Sequence, residues 1–531
     1  MIRRTFLAAT AAAAAVNASV ASAAHAGTPP RPSAKDNQRA ASMTTAPHLR
    51  PAHEQVAALT SRKISSRQLL ELQLKHIEAA NPGINAIVTL DVERARKEAD
   101  SADRHIARTG KPLGPLHGLP LTVKDALETA GMRTTCGSPD LKDHVPDQDA
   151  DAVARLREAG AIIIGKTNTP AYCQDIQTSN ALFGTTKNPQ APGRTAGGSS
   201  GGPAAAVTAG LTSAEVGSDL AGSLRLPAAY CGVYALRPSY GLISTRGHIP
   251  RLPGWLTSSD MTTLGPLART PADLALLLDA LVGPSPADSP AWRVELPGPR
   301  LSRLRDYRVG IWADDDHCRV DAATRDLMNT VTGLVRSSGA QVDVTTRPVS
   351  MPESDRTFTN LMYATSTATT PDTVFQGEVD QADKLAPGDT SPGAFYLRAR
   401  TQRHRDWLIA NEAREKLRQR WAQYFTQHDI LITPATPTAA VEDQTSVPVQ
   451  QRFITVDGAK RSYYDQTTWL NLTSQVRLPS AIVPAGRTAD GLPLSVQVIG
   501  PYLADRTVIS VAAHLAQLLP NPLDPAELRR R

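Results

Sequence analysis

The chain has 531 residues, of which 41% are hydrophobic, 20% charged and 5% aromatic, and its formal net charge is +6. Arg3 and Arg4 supply two of those charges; the remaining +4 over so long a chain, with no basic stripe, does not point to nucleic-acid binding. Cys136, Cys173, Cys231 and Cys318 contain no C-x-x-C, and the twelve histidines no H-E-x-x-H, so neither metal nor cofactor is expected.

The first 26 residues combine Arg3, Arg4, Thr5, Phe6 and Leu7 with an alanine-rich stretch and small residues at Ala24 and Ala26. They resemble a twin-arginine export signal cleaved after Ala26, which places the expected product in the periplasm or outside the cell. No later stretch approaches the ~20 apolar residues of a membrane span, so no stable anchor is expected. Residues 27–48 are rich in Pro, Ser, Thr and Ala and read as a disordered leader. Residues 49–531 contain no flexible linker and no repeat, so a single large domain is expected. The four cysteines allow three pairings without a preference, and Cys231 in AAYCGV reads as buried and free.

SSRQLLELQLKHIEAAN carries a capping box from Ser65 to Gln68 and places Leu70, Leu74 and Ile77 on one face of a helix; a second helix is expected over residues 91–108. The apolar runs LPLTV, AIIIG and RVGIW then alternate with the helical stretches DADAVARLREAG and TRDLMNTVTGLVRSSG, which is an α/β pattern. Lys124 ends LPLTV and projects into the interior, while His117 in PLHGLP reads as structural. Residues 160–167, GAIIIGKT, satisfy the Walker A pattern, yet three successive isoleucines want to be a strand and Pro170 breaks any early helix.

Residues 193–227 read GRTAGGSSGGPAAAVTAGLTSAEVGSDLAGSLRLP, with Ser199 and Ser223 lying 75 and then 24 residues beyond Lys124 and Ser199. Glycine at this density lets backbone N–H groups approach a developing anion, and a serine hydroxyl is a nucleophile once a base takes its proton. A lysine serves as that base only when neutral, and burial lowers a lysine pKa by up to about 3–5 units. GGSSGG also contains G-x-S-x-G centred on Ser199 and Ser200, but the preceding NPQAPGRTA is loop rather than the strand a nucleophile elbow needs, and His428 would be an arbitrary third member.

HGLPLTVKD, GGSSGG and DLAGSLRLPAAYCG, with HDILITPATP and LPSAIVPAGRTADGLPLSVQVIGP near the end, resemble the amidase signature family, locally its fatty acid amide hydrolases. That resemblance implies one large mixed, twisted sheet wrapped by helices, with the signature core at about 110–270. It also implies a triad of Lys124, Ser199 and nucleophilic Ser223, with a cis bond before Ser199. By the same resemblance, the backbone of Leu220, Ala221, Gly222 and Ser223 forms the oxyanion hole, Asp219 and Arg225 brace that loop, and Thr178, Ser179 and Cys173 lie around the substrate. The family commonly has two glycines before the serine, so a positive φ at Ala221 would be strained.

The expected function is an exported amidase of linear amides with side esterase activity, acting on a small-molecule amide in an oligomeric state the sequence leaves open. Two other readings remain. One is an amidotransferase-like subunit, which the export signal argues against because such subunits act on charged transfer RNA in the cytoplasm. The other is a catalytically silent binding protein on the same fold. The polar segment 285–420 departs most from the family and is expected to form substrate loops; Arg477, where relatives usually show glycine, is either a pocket cation or a rim arginine.

Overall fold

The computed structural model describes residues 46–520. The expected signal, residues 1–26, and most of the leader lie outside them. Pro47–Leu49 forms a short 3-10 turn with Leu49 buried, so Pro47 and His48 belong to the folded chain.

The two expected early helices are present. Ser66–Ile84 starts on a reciprocal Ser65–Gln68 capping box and buries Leu70 and Ile77, and Val92–Thr109 starts on Asp91, whose side chain accepts from the Arg94 N–H.

An eight-stranded mixed sheet runs in the order Gln341–Asp343, Arg308–Ile311, Ile430–Pro434, Pro493–Ile499, Ser480–Arg487, Tyr234–Arg237, Thr263–Ala268, Ala214–Asp219. The pairs on either side of Arg308–Ile311 are parallel and the others antiparallel. A separate three-stranded sheet of Ile87–Leu90, Ile162–Thr167 and Pro120–Lys124 lies beside the last of these strands. Thr167 Oγ1 donates to Glu215 Oε1 at 3.0 Å, and Thr122 donates to the other carboxyl oxygen, so Glu215 joins the two sheets where their hydrogen-bond ladders stop. The large mixed sheet expected is present, with the three-stranded sheet beside it.

Alternation along the strands builds two cores. Ala481 and Val483 face one with Leu274, Val331 and Val511 from covering helices, while Ile482 faces the other with Ala205 and Leu226. Burial on both faces is why these strands read as continuous apolar runs.

The segment expected as irregular loops, 285–420, is mostly ordered. Arg308–Ile311 and Gln341–Asp343 complete the sheet, and Ala322–Ser337, Met351–Ser366, Asp372–Ala382, Pro392–Arg400 and His404–Gln427 are helices. Their solvated faces are polar enough to hide the helical period, but Phe358, Leu361 and Ala410 are buried together. Among the described residues no helix is long and apolar enough to cross a membrane.

Candidate active site

Lys124 is the last residue of a strand buried along its whole length, and its side chain is completely buried. Its Nζ lies 2.7 Å from Ser199 Oγ and 3.0 Å from both Ser200 Oγ and Ser218 Oγ. All three partners are hydroxyls. Ser199 is the one that the sequence marks; for Ser200 and Ser218 the only signals are the doubled serine and a serine one residue before Asp219.

The loop holding Ser199 is packed too closely for side chains. A Cβ on Gly202 would stand 2.3 Å from the Asn168 backbone nitrogen. Thr178 Oγ1 donates to the Gly197 carbonyl at 2.9 Å and accepts from the Gly201 N–H at 3.1 Å, and Thr169 Oγ1 donates to the Ser199 carbonyl at 3.0 Å. The Gly198–Ser199 peptide is cis. These glycines therefore allow close packing.

Ser223 is half-buried, in the turn between the strand Ala214–Asp219 and the fully buried helix Arg225–Cys231. The Ser200 N–H donates to the Ser223 carbonyl at 3.0 Å, which ties the two serine loops together. Among the described residues Ser199 and Ser223 share no hydroxyl hydrogen bond.

Asp219 holds the turn. Its Oδ1 accepts from the Gly222 N–H at 3.0 Å and its Oδ2 from the Leu224 N–H at 3.1 Å. Arg225 Nε and Nη2 grip the same carboxylate at 2.9 Å each, and Arg237 Nη1 adds a third contact at 2.9 Å. All three side chains are fully buried. Burial alone would raise the Asp219 pKa, but the two guanidiniums outweigh it and hold the carboxyl well below its ordinary range. Arg225 also reaches the Leu470 carbonyl at 2.6 Å and Gln497 Oε1 at 2.7 Å, carrying the brace into the centre of the fold. Arg237, in ALRPSY, is absent from the sequence expectation because one arginine in an apolar strand gives no local sign of its partner.

Of the four amides expected to face an oxyanion, that of Gly222 is committed to Asp219. The amides of Leu220, Ala221 and Ser223 have no acceptor among the described residues. The positive φ of this turn, 98°, falls on Gly222, so Ala221 carries none of the strain anticipated for it.

Leu220 and Ala221 pack on Met261, Phe358, Leu361 and Ala410, with Met362 and Trp407 partly buried beside them, so the 351–410 helices wall the turn. Arg477 is half-buried at φ 66°, a conformation that glycine adopts freely. Its guanidinium lies 5.0 Å from the Tyr240 ring centroid and 3.8 Å from Asp260 Oδ1. Cys173 is half-buried, with Sγ 3.5 Å from Thr169 Oγ1. Ser179 lies apart, on a two-stranded ribbon, where its hydroxyl accepts from Thr185 Oγ1 at 2.8 Å. Cys231 is buried and unpaired, its thiol 3.5 Å from the Ala196 carbonyl.

Three residues set aside on sequence grounds have structural partners. Lys166 of the Walker-like run is buried within a strand and donates to Thr129 and Thr134 hydroxyls at 3.0 Å each. His428 pairs with Asp343 at 3.0 Å, on the edge of the sheet opposite Ala214–Asp219. His117 accepts from the Leu113 N–H at 3.1 Å in the loop before the Lys124 strand.

The α/β scaffold that carries this buried lysine and serine turn is similar to known proteins. The family model Amidase covers residues 68–509, and the chain belongs to the amidase signature family of carbon–nitrogen hydrolases. A glutamyl-tRNA(Gln) amidotransferase subunit from Carboxydothermus hydrogenoformans is 32% identical over 495 residues, spanning 87% of this chain and 95% of that protein. The solved structure of a bacterial aryl acylamidase superposes with a TM-score of 0.74 at 26% identity, covering 91% of this chain and 98% of that one. A fatty acid amide hydrolase structure, at 22% identity, TM-score 0.72 and coverage of 90% and 86%, shares the fold.

Proposed function

We propose that the chain cleaves the carbon–nitrogen bond of an amide through an acyl-enzyme on Ser223, with Ser199 and Lys124 relaying the proton. The observation that carries this reading is the 2.7 Å contact between the buried Lys124 amine and Ser199 Oγ, on a loop tied to the Ser223 carbonyl.

Ser223 Oγ attacks the carbonyl carbon as its proton passes to Ser199 and the Ser199 proton to Lys124 Nζ. Lys124 Nζ donates to the hydroxyls of Ser199, Ser200 and Ser218, which fix it at the end of the relay. The tetrahedral oxyanion takes the amides of Leu220, Ala221 and Ser223, which the Asp219–Arg225 brace holds in place. The relay then reverses, the leaving nitrogen departs protonated, and water repeats the cycle on the ester.

Residues 1–26 favour an exported amidase of linear amides over an amidotransferase-like subunit, and the relatives weigh the other way. Glutamyl-tRNA(Gln) amidotransferase subunits match at 30–33% identity over 86–87% of this chain. That reading brings protein partners with it. The exported, stand-alone reading rests on residues 1–26 and is supported by the likeness to the aryl acylamidase structure. Turnover of an amide panel that includes glutamine and acyl anilides, by the purified chain alone, separates them. Release of amine or ammonia from acyl amides without a partner favours the amidase, and ammonia release only in a complex favours the amidotransferase. No turnover and no acylation under either condition leaves the silent binding protein.

A further inference from the structure

Cys136 and Cys173 are 37 residues apart in sequence, yet their Sγ atoms lie 3.8 Å from one another. Backbone as well as side chains hold them there: the Tyr172 N–H donates to the Cys136 carbonyl at 2.9 Å, and both thiols point at the Ile249 carbonyl, at 3.8 and 4.0 Å. Each cysteine sits at a positive φ, 46° and 59°, which fixes the direction of its side chain. Cys136 is completely buried, whereas Cys173 is only partly buried.

The pair bridges two parts of the candidate site. The Cys136 N–H donates to the carbonyl of Asp125, the residue after Lys124, at 2.9 Å. Cys173 Sγ touches Thr169 Oγ1, the hydroxyl that holds the Ser199 carbonyl.

We infer that Cys136 and Cys173 form a reversible dithiol–disulfide site on the rim of the serine cluster, with the less buried Cys173 as the attacking thiol and fully buried Cys136 as the resolving one. The reaction is exchange with a small-molecule disulfide such as oxidised glutathione. The Cys173 thiolate attacks one sulfur and expels the first thiolate; Cys136, losing its proton, attacks Cys173 Sγ and expels the second. One external disulfide is reduced to two thiols as the protein dithiol loses two electrons and two protons. A bond requires the sulfurs to close by about 1.8 Å, within reach of side-chain rotation.

The electrostatics divide the roles in the same way. Hydrogen bonds with the Cys136 thiol, then with His248, hold Cys173 below the ordinary thiol range against the opposing effect of burial. Burial and the neighbouring Cys173 push Cys136 up. Closing the bridge draws Cys173 Sγ away from Thr169 and so disturbs the support of Ser199. This coupling rests on the proposed Ser223 chemistry; formation of the bridge does not.

The test uses the full chain and Cys136→Ser, each incubated with oxidised or reduced glutathione and then denatured, alkylated and mapped by non-reducing peptide mass spectrometry. In parallel, the rate of fluorophosphonate labelling is followed on the native protein. The expected result is a Cys136–Cys173 bridge in the oxidised wild type, labelling slowed about tenfold, recovery with dithiothreitol, and no redox response in Cys136→Ser. Free thiols at both positions after oxidation, or pairing with Cys231 or Cys318, overturns the site. A bridge with unchanged labelling overturns the coupling. The wild-type map needs no variant to fold, and it reads the bridge even if no serine is labelled in either redox state.

Discussion

Gly222 and Asp219 divide the labour of the serine turn: the Gly222 N–H is 3.0 Å from Asp219 Oδ1 and the glycine alone takes the left-handed backbone, at φ 98°. A Cβ on Gly222 would stand 2.8 Å from Leu470 Cδ1, whereas Ala221 needs no unusual conformation. Gly222→Ala is therefore expected to lower kcat/KM by about tenfold or more, and Ala221→Gly to change it by less than about twofold. Steady-state kinetics on one amide substrate checks the pair.

Lys124→Ala removes the end of the proton relay while the serines stay. The loss in kcat is expected to be about 10²–10⁴-fold, the range for general acid–base catalysis, with KM little changed. Ser218→Ala leaves the 2.7 Å contact between Lys124 and Ser199 intact and is expected to cost far less. Equal losses in the two variants would make Lys124 a packing element.

Asp219→Ala leaves two buried guanidiniums without their counter-charge. Breaking one partner of such a cluster costs about 3–5 kcal/mol, which urea unfolding measures directly. The pH dependence follows from the depressed carboxyl. Its folded pKa lies below the ordinary value of 3.8, so its stabilising contribution is present above about pH 4 and is lost as pH falls through the folded value. Wild-type stability should drop over that acid window, and in Asp219→Ala this part of the drop should be absent.

Glu215 behaves in the opposite sense. Desolvation between the two sheets pushes its pKa up from 4.5 to about 8. A raised carboxyl favours the fold fully below about pH 4.5, and that contribution is lost as pH rises towards about 8. Glu215→Gln keeps a hydrogen-bonding group toward Thr122 and Thr167 without an ionisation, so its stability should decline less than that of the wild type over this window. Parallel urea titrations across that range check it.

Much of this was legible locally. The Ser65–Gln68 box and the AIIIG strand are short-range signals, and packing left them intact. Lys124 and Ser199 stand out because a motif marks them, yet the residues that complete the lysine's surroundings, Ser200 and Ser218, need the loop path and the strand direction to be known. Arg237 and Glu215 are invisible in the sequence because their partners lie on other elements, and a buried charge looks like a surface one until its counter-charge is placed. The 351–410 helices read as loops because their burial depends on a few residues, Phe358, Leu361 and Ala410, scattered in polar sequence.

The most direct measurement is labelling of the purified chain with a fluorophosphonate, followed by mass-spectrometric mapping of the modified residue. The expected result is a single adduct on Ser223, abolished in Ser223→Ala and slowed in Lys124→Ala. An adduct on Ser199 or Ser200, or no adduct on a folded chain, would contradict the Ser223 acyl-enzyme.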